Sequence, residues 1–143
     1  MVPFAAAFVC PSIPVPDSAA TTILVVEDEP TVCELAAETL LDAGYRVLTA
    51  SDAKQAEAIL ASESVDMLFT DIDLARNTNG LALARRARML CPDLPVVYTS
   101  GGRDGLSDRE TVPGSVFVPK PYRPSQLVAL TRDALSAALP HHA

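Results

Sequence analysis

The sequence has no tryptophan and few other aromatic residues, four phenylalanines and three tyrosines in 143 residues. Positive charge is also scarce, with 11 Lys and Arg against 18 Asp and Glu and a net charge of −7. Binding to a phosphate backbone needs clustered Lys and Arg, so nucleic acid is excluded as the expected partner. Such a chain suits protein partners or metal ions. Cysteine is limited to Cys10, Cys33 and Cys91, too few and too widely spaced for a disulfide framework or a metal-ligand pattern. They read as small buried hydrophobes in a reducing cytosol. No apolar run approaches the ~18–20 residues of a membrane span. The apolar run Phe4–Val9 has no Lys or Arg before it and is cut short by Pro11, which argues against a signal peptide. Residues 1–20 are expected to form an irregular Pro/Ala-rich arm, residues 140–143 a frayed tail, and the protein to be cytoplasmic.

What the chain does have is ample apolar content, 49% hydrophobic, enough for one packed domain over residues 21–139. Short apolar runs alternate with helical periodicity. Thr22–Val26 reads as a strand ending in Glu27-Asp28-Glu29. Pro30 fits the first turn of a helix with Val32, Leu35, Ala36, Leu40 and Ala43 inside, closed by Gly44. Tyr45–Ala50 is a second strand. Ser51 or Asp52 caps a second helix that buries Ala53, Ala56, Ile59 and Leu60. Val65–Asp71 is a third strand, too short for a helix and typical of the centre of a parallel sheet. A loop over 72–79 leads to a helix over Gly80–Leu90, with Leu81, Leu83, Ala84, Ala87 and Leu90 inside and Arg85, Arg86 and Arg88 mostly outside. Leu94–Thr99 and Ser115–Val118 complete five strands. Between them, Arg103–Thr111 is polar and predicts at most a short, marginal helix. A last helix starts near Ser125 with Leu127, Val128, Leu130, Ala134, Leu135 and Leu139 inside, and Pro140 ends it. Five β-α units imply a parallel sheet covered on both faces.

In such sheets chemistry collects past the carboxyl ends of the strands. Four of the five strands end there in polar residues: Glu27 and Asp28, Asp71 and Asp73, Thr99 and Ser100, and Lys120 between Pro119 and Pro121. If the first and third strands are neighbours, the carboxylates converge and repel unless a cation joins them. Hard oxygen ligands with room for water suit Mg²⁺. Lys120 adds a fixed positive charge and Ser100 a hydroxyl. Asp is a competent nucleophile toward phosphorus, and a metal, a lysine and a hydroxyl could meet the oxygens of a transferring phosphoryl group.

Four segments carry a family resemblance: Val25-Val26-Glu27-Asp28-Glu29; Phe69-Thr70-Asp71-Ile72-Asp73-Leu74 with Asn79-Gly80-Leu81; Pro95-Val96-Val97-Tyr98-Thr99-Ser100-Gly101; and Val118-Pro119-Lys120-Pro121-Tyr122. Together, each at a strand end, they resemble the receiver domain of the bacterial two-component response regulators. The resemblance implies a flavodoxin-like, doubly wound α/β fold: a five-stranded parallel sheet in the order 2-1-3-4-5 with five helices. It implies Asp71 as phosphoacceptor, Asp28 as a direct Mg²⁺ ligand, Glu27 acting partly through water, and the backbone carbonyl of Asp73 as a further ligand. Ser100 would move toward the phosphoryl group and Lys120 would pair with it. Phe117 occupies the switch-aromatic position, where core packing is the competing reading. The chain departs from the family after Asp71. Leu74-Ala75-Arg76-Asn77 stands where a proline is often found, and the spacing to Gly80 is one residue longer than in the commonest members. The Asp73 side chain also adds a negative charge beside an acyl phosphate on Asp71.

Two other readings share parts of the pattern. Asp71-Ile72-Asp73 matches the Asp-x-Asp of haloacid-dehalogenase-like phosphatases, and Glu27 with Asp-x-Asp matches the metal site of topoisomerase-primase domains. The first leaves Glu27 and Asp28 unexplained, and the second fits poorly with a charge of −7. The expectation is therefore a stand-alone switch rather than an enzyme. A histidine kinase or phosphotransfer protein would phosphorylate it, and it would signal to an unidentified protein target. It would have no membrane association, and a homodimer is compatible with the sequence.

Overall fold

The structure is a computed structural model that describes residues 21–74, 79–101 and 111–138. The expected arm over 1–20, the tail, Leu139 and nearly all of the expected helix over Arg103–Thr111 lie outside the described residues. Five strands, β1 (Thr22–Val26), β2 (Arg46–Ala50), β3 (Met67–Asp71), β4 (Val96–Ser100) and β5 (Val116–Pro119), form one parallel sheet in the order β2-β1-β3-β4-β5. Four helices are described: α1 (Pro30–Asp42), α2 (Ala53–Ser62), α3 (Gly80–Leu90) and α4 (Pro124–Ala138). The expected fold and strand order are present, with four of the five expected helices among the described residues.

Alternation along the strands divides the core between the two faces of the sheet. Ile23, Val25, Met67, Phe69, Val97 and Val118 pack with Ala36 and Leu40 of α1 and Leu127 of α4. Leu24, Val26, Leu68, Val96 and Tyr98 pack with Ala53, Ala56 and Leu60 of α2 and Leu81, Ala84 and Ala87 of α3. The central strands β1, β3 and β4 are buried along their whole length, which is why they read as continuous apolar runs. Pro119, which cannot donate to a ladder, sits on the edge strand β5.

The helix ends follow local chemistry. Gly44 takes φ +101° after α1, Tyr45 N–H donates to Leu40 O at 3.1 Å, and Gly44 N–H donates to Leu41 O at 3.0 Å. This paired closure satisfies carbonyls the helix leaves open. Asp52, rather than Ser51, caps α2 by accepting from Gln55 N–H at 2.8 Å. Three apolar residues expected inside are outside: Leu35 is 60% exposed, Leu90 56% exposed, and Ala43 is exposed. A helix lying on a sheet buries only a narrow stripe, and these three lie beside it or beyond its end. Leu35 instead lines a surface groove of about 280 Å³ with Val32, Pro121 and Tyr122.

Candidate functional site

Strand order decides what meets at the carboxyl edge. β1 pairs with β3 so that Val26 lies opposite Thr70, and the next residues out are Glu27 and Asp71. β3 pairs with β4, placing Asp71 opposite Thr99 and just before Ser100. β4 pairs with β5, placing Ser100 opposite Pro119, and Lys120 N–H donates to Ser100 O at 3.0 Å. Short, in-register strands therefore deliver Glu27, Asp71, Ser100 and Lys120 to one edge from positions up to 93 residues apart in sequence.

Lys120 lies between two carboxylates. Its Nζ donates to Glu27 Oε1 at 2.8 Å and to Asp71 Oδ2 at 3.0 Å. Glu27 is 5% exposed and Asp71 6%, while Asp28 is exposed. Burial pushes the Glu27 carboxyl upward, opposed by the Lys120 hydrogen bond and reinforced by the nearby Asp71 charge. Burial works against the Lys120 charge, but the bonds to Glu27 and Asp71 outweigh it and hold the ammonium above its usual range. The two directions agree physically: a crowded acidic pocket strains its carboxylates and retains any cation that enters.

Glu27, Asp28 and Asp71 each offer a carboxylate oxygen, and these oxygens lie within 4.8 Å of one another. Three carboxylates against one ammonium leave a local charge of −2. That donor set fits a hard divalent cation: all oxygen, two ligands buried, and one open to water. Glu27 is oriented for this by accepting from Glu29 N–H at 3.2 Å.

On the other side of Asp71, Asp73 N–H donates to Asp71 Oδ1 at 3.2 Å. The Asp73 carboxylate accepts from Ser100 Oγ at 3.1 Å. Asp73 also forms an isolated antiparallel bridge with Asn79, and Gly80 N–H donates to Ile72 O at 2.8 Å. Asp73 and Asn79 thereby form a closed neck at the end of β3. Asn79 caps α3, accepting from Leu81 N–H at 2.7 Å and Ala82 N–H at 3.1 Å. Gly80 starts the helix directly against β3, where a Cβ would collide with the Asp71 carbonyl.

The structure thus brings together Asp71, Glu27, Asp28, Lys120, Ser100 and Asp73. Phe117 lies apart, half-buried on β5 opposite Tyr98. Some residues that shape this edge had only weak sequence signals. Tyr98 is fully buried and its hydroxyl accepts from Val112 N–H at 3.1 Å. Tyr122 meets Phe69 edge-on with ring centroids 5.7 Å apart, and burial pushes its phenol up to about 12. Gly80 reads in sequence as a helix-start glycine within one of the four family segments, whereas its physical constraint is contact with β3.

Residues 23–132 match the model of the response regulator receiver domain. The chain is 33% identical over 118 residues to the phosphate regulon transcriptional regulatory protein PhoB of Pseudomonas aeruginosa, covering 80% of this chain and 51% of PhoB. It is 35% identical over 120 residues to the nitrogen assimilation regulatory protein NtrX of Azorhizobium caulinodans, covering 79% of this chain and 26% of NtrX. The match thus spans about half or less of these relatives. Among solved structures it resembles a response regulator receiver protein from Sinorhizobium medicae, with TM-score 0.79, 32% identity, and 83% and 97% of the two chains covered. The receiver domain of NtrX from Brucella abortus gives TM-score 0.72 and 34% identity, with 80% and 98% covered. Sheet order, the acidic edge with its lysine, and these matches converge: the chain belongs to the response regulator receiver domain family.

Proposed function

We propose that Asp71 accepts a phosphoryl group from a phosphohistidine on a sensor kinase or phosphotransfer protein, and that this chain acts as the resulting switch. The observation that carries the reading is Lys120 Nζ held 2.8 Å from Glu27 and 3.0 Å from Asp71 beside the exposed Asp28. An Asp71 oxygen would attack phosphorus in line as the donor P–N bond breaks, and the imidazole would leave. Glu27, Asp28, Asp71 and the Asp73 backbone carbonyl would hold Mg²⁺, which when bound would neutralise charge on the transferring group. Lys120 would shift from Asp71 toward the phosphoryl oxygens, and the Ser100 hydroxyl would donate to another. Phe117 would follow Ser100 as a switch residue. Receiver domains are phosphorylation-dependent switches, so output here would pass through protein contacts, with no nucleic acid or membrane contact by this domain, in the cytoplasm. Membership of the receiver family favours this reading over the phosphatase and topoisomerase-primase alternatives.

The test is intact mass after incubation with acetyl phosphate and Mg²⁺. The unaltered chain gains one phosphate, and the gain disappears on chelation of the metal and in Asp71→Asn. An adduct that persists in Asp71→Asn would overturn the assignment.

A further inference from the structure

One residue contacts both the carboxylate expected to be modified and the hydroxyl expected to respond. Asp73 N–H donates to Asp71 Oδ1 at 3.2 Å, and Asp73 Oδ2 accepts from Ser100 Oγ at 3.1 Å. Its backbone is fixed by the bridge to Asn79 and by the Gly80–Ile72 hydrogen bond behind it. The Asp73 side chain therefore does not simply trail from a loop. It is anchored at the neck, facing β4.

We propose that the Asp73 carboxylate is a latch on Ser100: it holds the hydroxyl in the resting state and raises the threshold at which a phosphoryl group on Asp71 can recruit it. This rests on the phosphoacceptor reading of Asp71. A serine hydroxyl has one proton to donate, so it serves either Asp73 or a phosphoryl oxygen. Ser100 is 0% exposed, so bulk water does not compete for that proton. Hydrogen bonds to an ionised carboxylate are stronger than neutral ones, so the incoming group must displace a strong acceptor. Asp73 is therefore a positioning residue. It acts on the chemistry through Ser100, and its charge is not needed for the phosphoryl transfer itself.

The test measures beryllofluoride affinity in the presence of Mg²⁺, by calorimetry or fluorine NMR. The proteins are the unaltered chain, Asp73→Ala, Asp73→Asn, Ser100→Ala and the two double variants. Removing the carboxylate tightens binding about tenfold when Ser100 is present and at most about threefold in the Ser100→Ala background. Asp73→Asn keeps an acceptor oxygen without the charge, and falls between the unaltered chain and Asp73→Ala. Equal tightening in both backgrounds would reduce Asp73 to charge repulsion and overturn the latch. Unchanged or weaker binding in Asp73→Ala would overturn it too. Asp73 is exposed and its substitution is not expected to disturb folding; if Asp73→Ala does not fold, the Asp73→Asn pair carries the same comparison. If the unaltered chain takes neither beryllofluoride nor phosphate, the phosphoacceptor reading falls and the latch with it. That outcome is distinct from normal binding without coupling between Asp73 and Ser100.

Discussion

At the scale of single residues, Gly80 shows how a site constrains a position that never touches a ligand. Its backbone lies against the Asp71 carbonyl, and neither β3 nor the first turn of α3 can easily give way. Alanine is the better helix former by ~1 kcal/mol, yet here its methyl group has no room. Gly80→Ala is expected to lower stability by about 1–3 kcal/mol, as overpacking does, and to slow labelling of Asp71 by acetyl phosphate. Urea unfolding and the mass assay measure the two effects, and unchanged values in both would remove the constraint. The acids themselves were legible in the sequence. Glu27, Asp71 and Lys120 each follow a short apolar run, so strand ends locate them without side-chain detail. The Ser100–Asp73 hydrogen bond was not legible, because it depends on a side-chain rotamer and on how the neck of the loop closes.

At the scale of elements, the fold was readable because parallel strands buried on both faces are continuous apolar runs and the helices between them show a 3.6-residue period. The errors fall where periodicity is blind to the width of the contact. Leu35 and Leu90 fit the period of their helices but face solvent, at 60% and 56% exposure. Polar ties between elements were equally hidden. Tyr98 reads as one more apolar strand residue, yet its hydroxyl is the partner of the Val112 N–H. Val112 is 6% exposed, so this donor has little access to water when the hydroxyl is gone. Tyr98→Phe is expected to cost about 1–3 kcal/mol through the orphaned amide. Hydrogen exchange at Val112 should speed up relative to the amides of β4 and β5. Equal exchange in both proteins would show that the tie contributes nothing.

At the scale of the whole molecule, two of the seven net negative charges gather at one edge, where the carboxylates of Glu27, Asp28 and Asp71 outnumber the ammonium of Lys120. Folding thus places like charges side by side, and a cation that binds only the folded form stabilises it by mass action. Mg²⁺ is expected to raise the melting temperature of the unaltered chain. Lys120→Ala leaves two buried carboxylates without their partner and is expected to lose ~3 kcal/mol without metal at neutral pH. Mg²⁺ should then recover a larger share of stability in that variant than in the parent. A melting temperature indifferent to Mg²⁺ in both proteins would contradict this view of the edge. The neck formed by the Asp73–Asn79 bridge and the Gly80–Ile72 hydrogen bond has a different consequence. It ties Asp73 and the start of α3 to the end of β3, so the peptide joining Leu74 to Asn79 leaves and re-enters at fixed points beside Asp71.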